Sequence, residues 1–302
     1  MSTIAVDAAR ASTRDLSRAH RAVRGRRYLA LAGTTVLSFA LVVWTLLPIY
    51  NMILVSLEPE GDVFTDHIWP RVASFESFRG VLTQGHWYLE HFWRQFLNSI
   101  YMGAWVTFLT LAIGTLTAFS IGRMRIRHGW VVSNAALMTY VIPASFLAIP
   151  FYRIMQNYGL ANNLWSVIAA LVAFATPYAF FVFQEYGRSI PLEVDESARI
   201  DGASPIQIYF KLYLPLMAPA LVAVGTYAML LAWNEYLYQF LLLSSKSNMT
   251  VPVALAQFLN SDQSPWNYMM ATAIIYALPP VAVYYAFRRR MTAGLTMGGV
   301  KG

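Results

Sequence analysis

Six apolar runs dominate the chain, at about 28–57, 96–122, 130–154, 164–183, 216–243 and 268–287. Each reaches or exceeds the roughly 20 residues that a helix needs to cross a hydrocarbon core. Within a bilayer the backbone can satisfy its polar groups only in helices or in a closed barrel. None of these runs alternates with the period of two that a barrel strand requires. The expected fold is therefore an all-α membrane protein with six transmembrane helices. Composition agrees: 57% of residues are hydrophobic and 12% are charged, about half the charge of an ordinary soluble domain.

The basic residues orient the spans, because Lys and Arg collect on the cytoplasmic side. With the N-terminus inside, the inner segments carry the seven arginines from Arg10 to Arg27, then Arg123, Arg125 and Arg127, then Arg188, Arg199 and Lys211, and finally Arg288, Arg289, Arg290 and Lys301. The outer segments carry only Arg71, Arg79, Arg94, Arg153 and Lys246. Both termini are thus expected in the cytoplasm. The net charge of +7 reads as topology and not as a nucleic-acid footprint. Arg26-Arg27 before an apolar run has the outline of a twin-arginine signal, but no small-residue cleavage site follows and the run is too long. Three regions are expected: a cytoplasmic arm at 1–27, a transmembrane domain at 28–287 and a cytoplasmic tail at 288–302.

The longest polar interruption between later spans is 185–215, EYGRSIPLEVDESARIDGASPIQIYFKLYLP. Pro191 suits the first position of a helix, where its missing N–H costs nothing. Gly202 stands where a helix end favours a residue tolerant of positive φ. Ser204-Pro205 reads as a fresh N-cap and first position. In the second helix Ile206, Tyr209, Phe210, Tyr213 and Leu214 share one face, which predicts packing against the spans, and Pro215 is expected to stop it. The result is a helix–glycine–helix hairpin on the cytoplasmic side. Its carboxylates Glu193, Asp195, Glu196 and Asp201, with Arg199, read either as a solvated face or as a docking surface.

This segment resembles the EAA loop of ABC-importer permeases, which reads Glu-Ala-Ala, a Gly four residues on, then Ile-x-Leu-Pro. The matching residues are Glu196, Ser197, Ala198, Gly202, Leu212, Leu214 and Pro215, with Ser197 and Leu212 departing mildly from the pattern. Together with Trp233-Asn234-Glu235 and the Gly-Leu-Thr…Lys-Gly tail, the whole chain is similar to the MalG-like permeases of carbohydrate importers. The resemblance implies a type I, MetI-like permease of the prokaryotic inner membrane. It implies a second homologous permease, two ATPase subunits that bind ATP and Mg, and an extracytoplasmic solute-binding protein. It also implies that Glu193, Glu196, Ala198, Arg199, Asp201, Gly202 and Pro215 form the ATPase-coupling element, that Glu196 pairs with a basic side chain of the ATPase groove, and that the tail reaches toward the ATPase pair.

The chain carries no GxxxxGK[ST] phosphate loop, no HExxH and no GxSxG, so no motif assigns it ATP hydrolysis, metalloprotease or serine-hydrolase chemistry. It has no cysteine, hence no disulfide or thiolate site. His86, Glu90 and His91 lie close together but match no metal spacing. A non-catalytic subunit without a cofactor of its own is expected. Tyr140, Tyr178, Trp233, Asn234 and Glu235 are the candidate solute pathway, since aromatic faces suit sugar rings and Asn234 suits hydroxyls. Glu235 is the only acidic residue well inside a span, which marks it as functional unless it is solvated near the outer interface beside Tyr236 and Tyr238. Pro143 and Pro150 in the third run either kink that helix or free carbonyls for solute. The outer segment 58–95, with Trp69, Trp87 and Trp93, is expected to lie at the membrane surface, and 244–267 to be a short polar loop. Two alternatives remain: an importer of a glycerol-phosphate or polyol solute, and an ion-coupled secondary transporter using Glu235.

Overall fold

The computed structural model describes residues 2–59, 68–70, 72–124, 126–260 and 264–297, with side chains described between 27 and 288 except at 29, 137, 140 and 260. All regular structure among the described residues is helical. Helix α1 (Ser2–Leu57) runs without interruption through the expected boundary between arm and first span. Two short outer elements follow, α2 (Glu76–Thr83) and a 3-10 turn at Trp87–Leu89. The second and fourth runs become the long helices α3 (Phe92–Gly122) and α6 (Leu164–Arg188). The last becomes α13 (Trp266–Met297).

The third run is not one helix. It divides into α4 (Gly129–Met138) and α5 (Ala148–Asn157), with 3-10 turns at Thr139–Val141 and Ala144–Leu147 between them. The cause is local: Pro143 forces the residue before it out of the helical region, and Ile142 is extended at φ −95°, ψ 117°. Pro150 falls in the first turn of α5, where proline does no harm. The hairpin is built from α7 (Leu192–Ile200) and a second arm made of α8 (Pro205–Ile208), a π-turn at Tyr209–Tyr213 and α9 (Leu214–Leu216). The fifth run is likewise divided, into α10 (Ala218–Asn234) and α11 (Leu237–Leu242). By length and hydropathy, four helical stretches among the described residues are able to span a membrane: 30–57, 87–122, 164–188 and 266–288. The pair 205–216 and 218–234 is bent by 78°.

The second arm ends at Leu216, one residue past Pro215, where the chain turns through that 78° bend at Met217. The apolar stripe is displaced. Ile206 and Phe210 are 70% and 61% exposed, whereas Ile208, Tyr209, Tyr213 and Met217 are buried. Beyond Tyr209 a π-turn shifts the register further: the Leu214 amide bonds the Tyr209 carbonyl, five residues back, and the extra residue per turn rotates the side chains that follow away from the 3.6-residue register.

Helix α3 is the centre of the bundle, packed against α6 on one side and α10 on the other. Its buried face carries Ser99, Gly103, Val106, Thr110 and Gly114, the small residues that let membrane helices approach closely. At Gly114 a β-carbon would lie 3.0 Å from that of Ala179. Helix α13 flanks α10, and α1 lies on α13 with most of its apolar surface outward.

The stretch 244–267, expected as a short polar loop, contains α12 (Val251–Gln257), and Met249, Val251, Val253 and Phe258 are buried. Asn98 of α3 donates to the Ser247 and Met249 carbonyls at 2.8 and 2.9 Å. The Asn162 side chain accepts from the amides of Ser244 and Ser245, both at 3.0 Å. Val81, Leu89 and Phe92 close over Phe258 and Tyr268.

Candidate functional site

Two places concentrate the expected site residues. The first is the hairpin. Gly202 has φ +82°, the left-handed conformation that glycine adopts without strain. The Ala203 amide reaches back to the Ala198 carbonyl at 2.9 Å and the Gly202 amide to Arg199 at 3.1 Å, closing α7 and returning the chain. Ser204 and Gln207 then form a reciprocal capping box, which starts the second arm on a defined heading. Glu193, Glu196, Arg199, Asp201 and Pro215 lie at the surface, and Ala198 is half-buried against the second arm. Ile200 at the tip is 87% exposed.

Asp195 departs from the expected surface set. It is buried, and its carboxylate lies 3.2 Å from the Arg123 guanidinium; the two side chains are only 7% and 4% exposed. Arg123 immediately follows α3 and also donates to the Gly187 and Ile190 carbonyls, both at 2.9 Å. In sequence Arg123 is masked by Arg125 and Arg127, which together read as a topology signal. The available hint is that Asp195 shares the inward face of α7 with Ala198, three residues on.

The second place is a cavity of about 520 Å³ at the two span breaks, lined by Ala144, Ser145, Phe174, Tyr227, Leu230, Asn234, Glu235 and Tyr238. Irregular backbone at membrane depth is tolerated where it is buried in protein or lines a cavity. Asn234 is exposed, and its amide donates to the Leu230 carbonyl at 2.9 Å. Glu235 is not in mid-helix. It sits at the α10–α11 break with extended backbone, and its two oxygens accept the Tyr238 and Gln239 amides at 2.8 and 3.1 Å. Tyr178 approaches the cavity through Tyr227, ring centroids 4.3 Å apart. The side chain of Tyr140 lies outside the described set.

Trp233 faces away from this cavity. Its indole is 2% exposed and stacks on Tyr276 with centroids 4.5 Å apart. The two residues exchange hydrogen bonds: the indole N–H donates to the Tyr276 carbonyl at 3.2 Å, and the Tyr276 hydroxyl to the Trp233 carbonyl at 2.8 Å. Adjacent residues on a helix point about 100° apart, so one of the pair Trp233-Asn234 turns to the core when the other lines a cavity. Tyr227, Tyr238 and Ser145 line the cavity without having been selected from sequence. Among the described residues, no three His, Asp or Glu converge in a way that would hold a metal ion.

Residues 110–296 match the family model described as the binding-protein-dependent transport system inner membrane component. The chain belongs to that family. The trehalose transport system permease protein SugB of Mycobacterium tuberculosis is 31% identical over 281 residues, covering 92% of this chain and 99% of SugB. The arabinooligosaccharides transport system permease protein AraQ of Halalkalibacterium halodurans is 29% identical, covering 84% of this chain and 91% of AraQ. Among solved structures, a chain of a bacterial ABC transporter involved in the import of the acidic polysaccharide alginate shares the fold, with TM-score 0.75 and 22% identity over 88% of this chain and 97% of that one. The matched residues 110–296 include the hairpin and the breaks in the third and fifth apolar runs. The family is one of multi-pass membrane proteins, in keeping with the apolar helices here.

Proposed function

We propose that this chain is a non-catalytic permease subunit of an ATP-driven importer for a sugar or sugar-like solute in the inner membrane of a prokaryote. It crosses six times, with α4–α5 and α10–α11 as broken crossings and both termini in the cytoplasm. A second homologous permease completes the pathway, two ATPase subunits bind ATP and Mg, and an extracytoplasmic binding protein delivers the solute. Closure of the ATPase pair moves the hairpin, and rigid-body motion of the attached spans switches access from outside to inside. The exposed charged face of the hairpin, with Glu193, Glu196, Arg199, Asp201 and Gly202, is the surface the ATPase engages.

The observation that carries this reading is the hairpin geometry: a glycine turn at φ +82° and a capping box hold a charged surface rigidly outside the spans. The carbohydrate assignment is supported by the relatives' solutes and by the cavity. Tyr227 and Tyr178 offer ring faces, Asn234 and Ser145 offer polar groups, and the cavity lining holds one carboxylate and no Lys or Arg. A phosphate ester would be repelled by Glu235 with no cation to offset it, which ranks a glycerol-phosphate solute below a neutral sugar or polyol. Glu235 already bonds two backbone amides, which favours a structural role over the cycling carboxylate of an ion-coupled transporter.

The test is reconstitution of the chain with partner permease, ATPase and binding protein, followed by uptake of trehalose, an arabino-oligosaccharide, a polyol and glycerol 3-phosphate. The expected result is ATP-dependent uptake of a neutral saccharide. Uptake by the chain alone, driven by a pH gradient, would overturn the reading.

A further inference from the structure

The hairpin is joined to the bundle at two joints. On one side the short link Ser189–Pro191 separates α6 from α7. On the other stands the 78° bend at Met217. The second arm is fixed to the bundle by its own core: Tyr209 and Tyr213 pack on Phe119, and the Tyr209 hydroxyl meets that of Thr115 of α3 at 2.6 Å. Helix α7, which carries the exposed carboxylates, adds only the half-buried Ala198 to that core. Arg123 supplies the polar connection of α7, from a different helix. Its guanidinium reaches the Asp195 carboxylate of α7 and the carbonyls of Gly187 and Ile190 at the end of α6. It also lies 5.9 Å from the Tyr213 ring centroid in the second arm, within the range of a cation–π contact. Arg199 of α7 donates back to the Arg123 carbonyl at 3.3 Å. The approach of the second arm depends on Gly187, where a β-carbon would lie 3.1 Å from the Tyr213 hydroxyl. One side chain therefore ties the end of α3 to the end of α6 and to both arms of the hairpin.

The chemistry suits a clamp better than a stabiliser. Removing two charges from water costs much of what their attraction returns, so a buried ion pair adds little stability over an apolar pair of the same volume. Direction comes from the other arm of the planar guanidinium, whose Nη2 donates to the Gly187 and Ile190 carbonyls, while the Nη1 side faces the buried Asp195 carboxylate as an ion contact. The last carbonyls of α6 lack helical partners, and a cation at that helix end is favoured by the helix dipole.

We propose that Arg123 is a positioning residue that makes the hairpin, α3 and α6 one rigid body, so that movement imposed on the hairpin reaches the spans in full. This rests on the reading of the hairpin as the ATPase contact. The chain contains no cysteine, so introduced pairs are its only thiol labelling sites. Spin labels at Ile200→Cys and Leu116→Cys report the hairpin against α3, and labels at Leu82→Cys and Leu259→Cys report the far end of the bundle. All four positions are exposed. Distances are measured by pulsed EPR in the full-length chain assembled with its partner subunits, with and without ATP, alongside solute transported per ATP hydrolysed.

With Arg123 intact, the Ile200–Leu116 distance is expected to be narrow and unchanged by ATP. In R123Q it should broaden and shift on ATP binding, while the Leu82–Leu259 distance stays narrow and transport per ATP falls at least about tenfold. R123K keeps the charge but not the fork, and should fall between the two; it decides the matter if R123Q fails to assemble. An Ile200–Leu116 distance as narrow in R123Q or R123K as in the parent, or one that shifts with ATP in the parent, would overturn the proposal. If the variants broaden but ATP alters nothing and no ATPase associates, the clamp stands and the functional reading fails.

Discussion

The Tyr238 hydroxyl donates to the Ala144 carbonyl at 2.6 Å. This bond joins the two broken apolar runs, because Ala144 lies just beyond the Pro143 break and Tyr238 in the first turn of α11 just beyond the Glu235 break. A carbonyl of the 3-10 turn after one interruption thus accepts a side chain from the other. Tyr238→Phe should remove this bond at a net cost of about 1 kcal/mol and loosen the cavity. Its expected signature is a raised KM for solute with a smaller change in kcat, measured as ATP-driven uptake; an unchanged KM would separate the bond from the pathway.

Glu235 holds the start of α11 by accepting two amides. Glu235→Ala should cost about 1 kcal/mol, as loss of a capping carboxylate typically does, whereas Glu235→Gln keeps one acceptor and should cost less. Uptake by the Gln variant should still require ATP and remain insensitive to an imposed pH gradient. Loss of a proton-driven component on this substitution would instead favour the secondary-transport reading.

Glu196 is exposed on α7 and not part of the Arg123 clamp. Glu196→Lys should therefore leave the folded chain intact while repelling a basic groove. Expression and thermal unfolding should match the parent, and ATPase association should fall by an order of magnitude or more in a pull-down. Normal association would remove Glu196 from the docking surface.

At Gly202 a β-carbon meets nothing within 4 Å, so space is not the constraint; φ +82° is. Gly202→Val should cost about 1–2 kcal/mol through left-handed backbone strain. Gly202→Asn should cost less, because Asn tolerates that region. The comparison is read in ATPase association, where Val is expected to weaken binding and Asn to come closer to the parent.

Trp233 and Tyr276 exchange hydrogen bonds as well as stacking. Trp233→Ala should destabilise the fold by about 3–5 kcal/mol. Trp233→Phe should cost less, with solute selectivity unchanged. A change in selectivity with unaltered stability would return Trp233 to the pathway.

Apolar length, the bias of Lys and Arg, and the punctuation Gly202, Ser204 and Pro205 are local quantities. They suffice to read a helical, membrane-embedded chain whose later apolar runs are interrupted by a hairpin. Partner and direction came from the fold. The third apolar run breaks at Pro143 where Tyr238 can bond the Ala144 carbonyl, Ile208 is buried while Ile206 is exposed, and Trp233 turns to Tyr276 while Asn234 faces the cavity. Arg123 and Asp195 are 72 positions apart in the chain, and beyond the helix face that Asp195 shares with Ala198 nothing near either residue marks it as half of a pair. Periodicity reports which residues share a face of one helix; which face meets which neighbour depends on contacts distant in sequence, and a single chain read in order does not contain them.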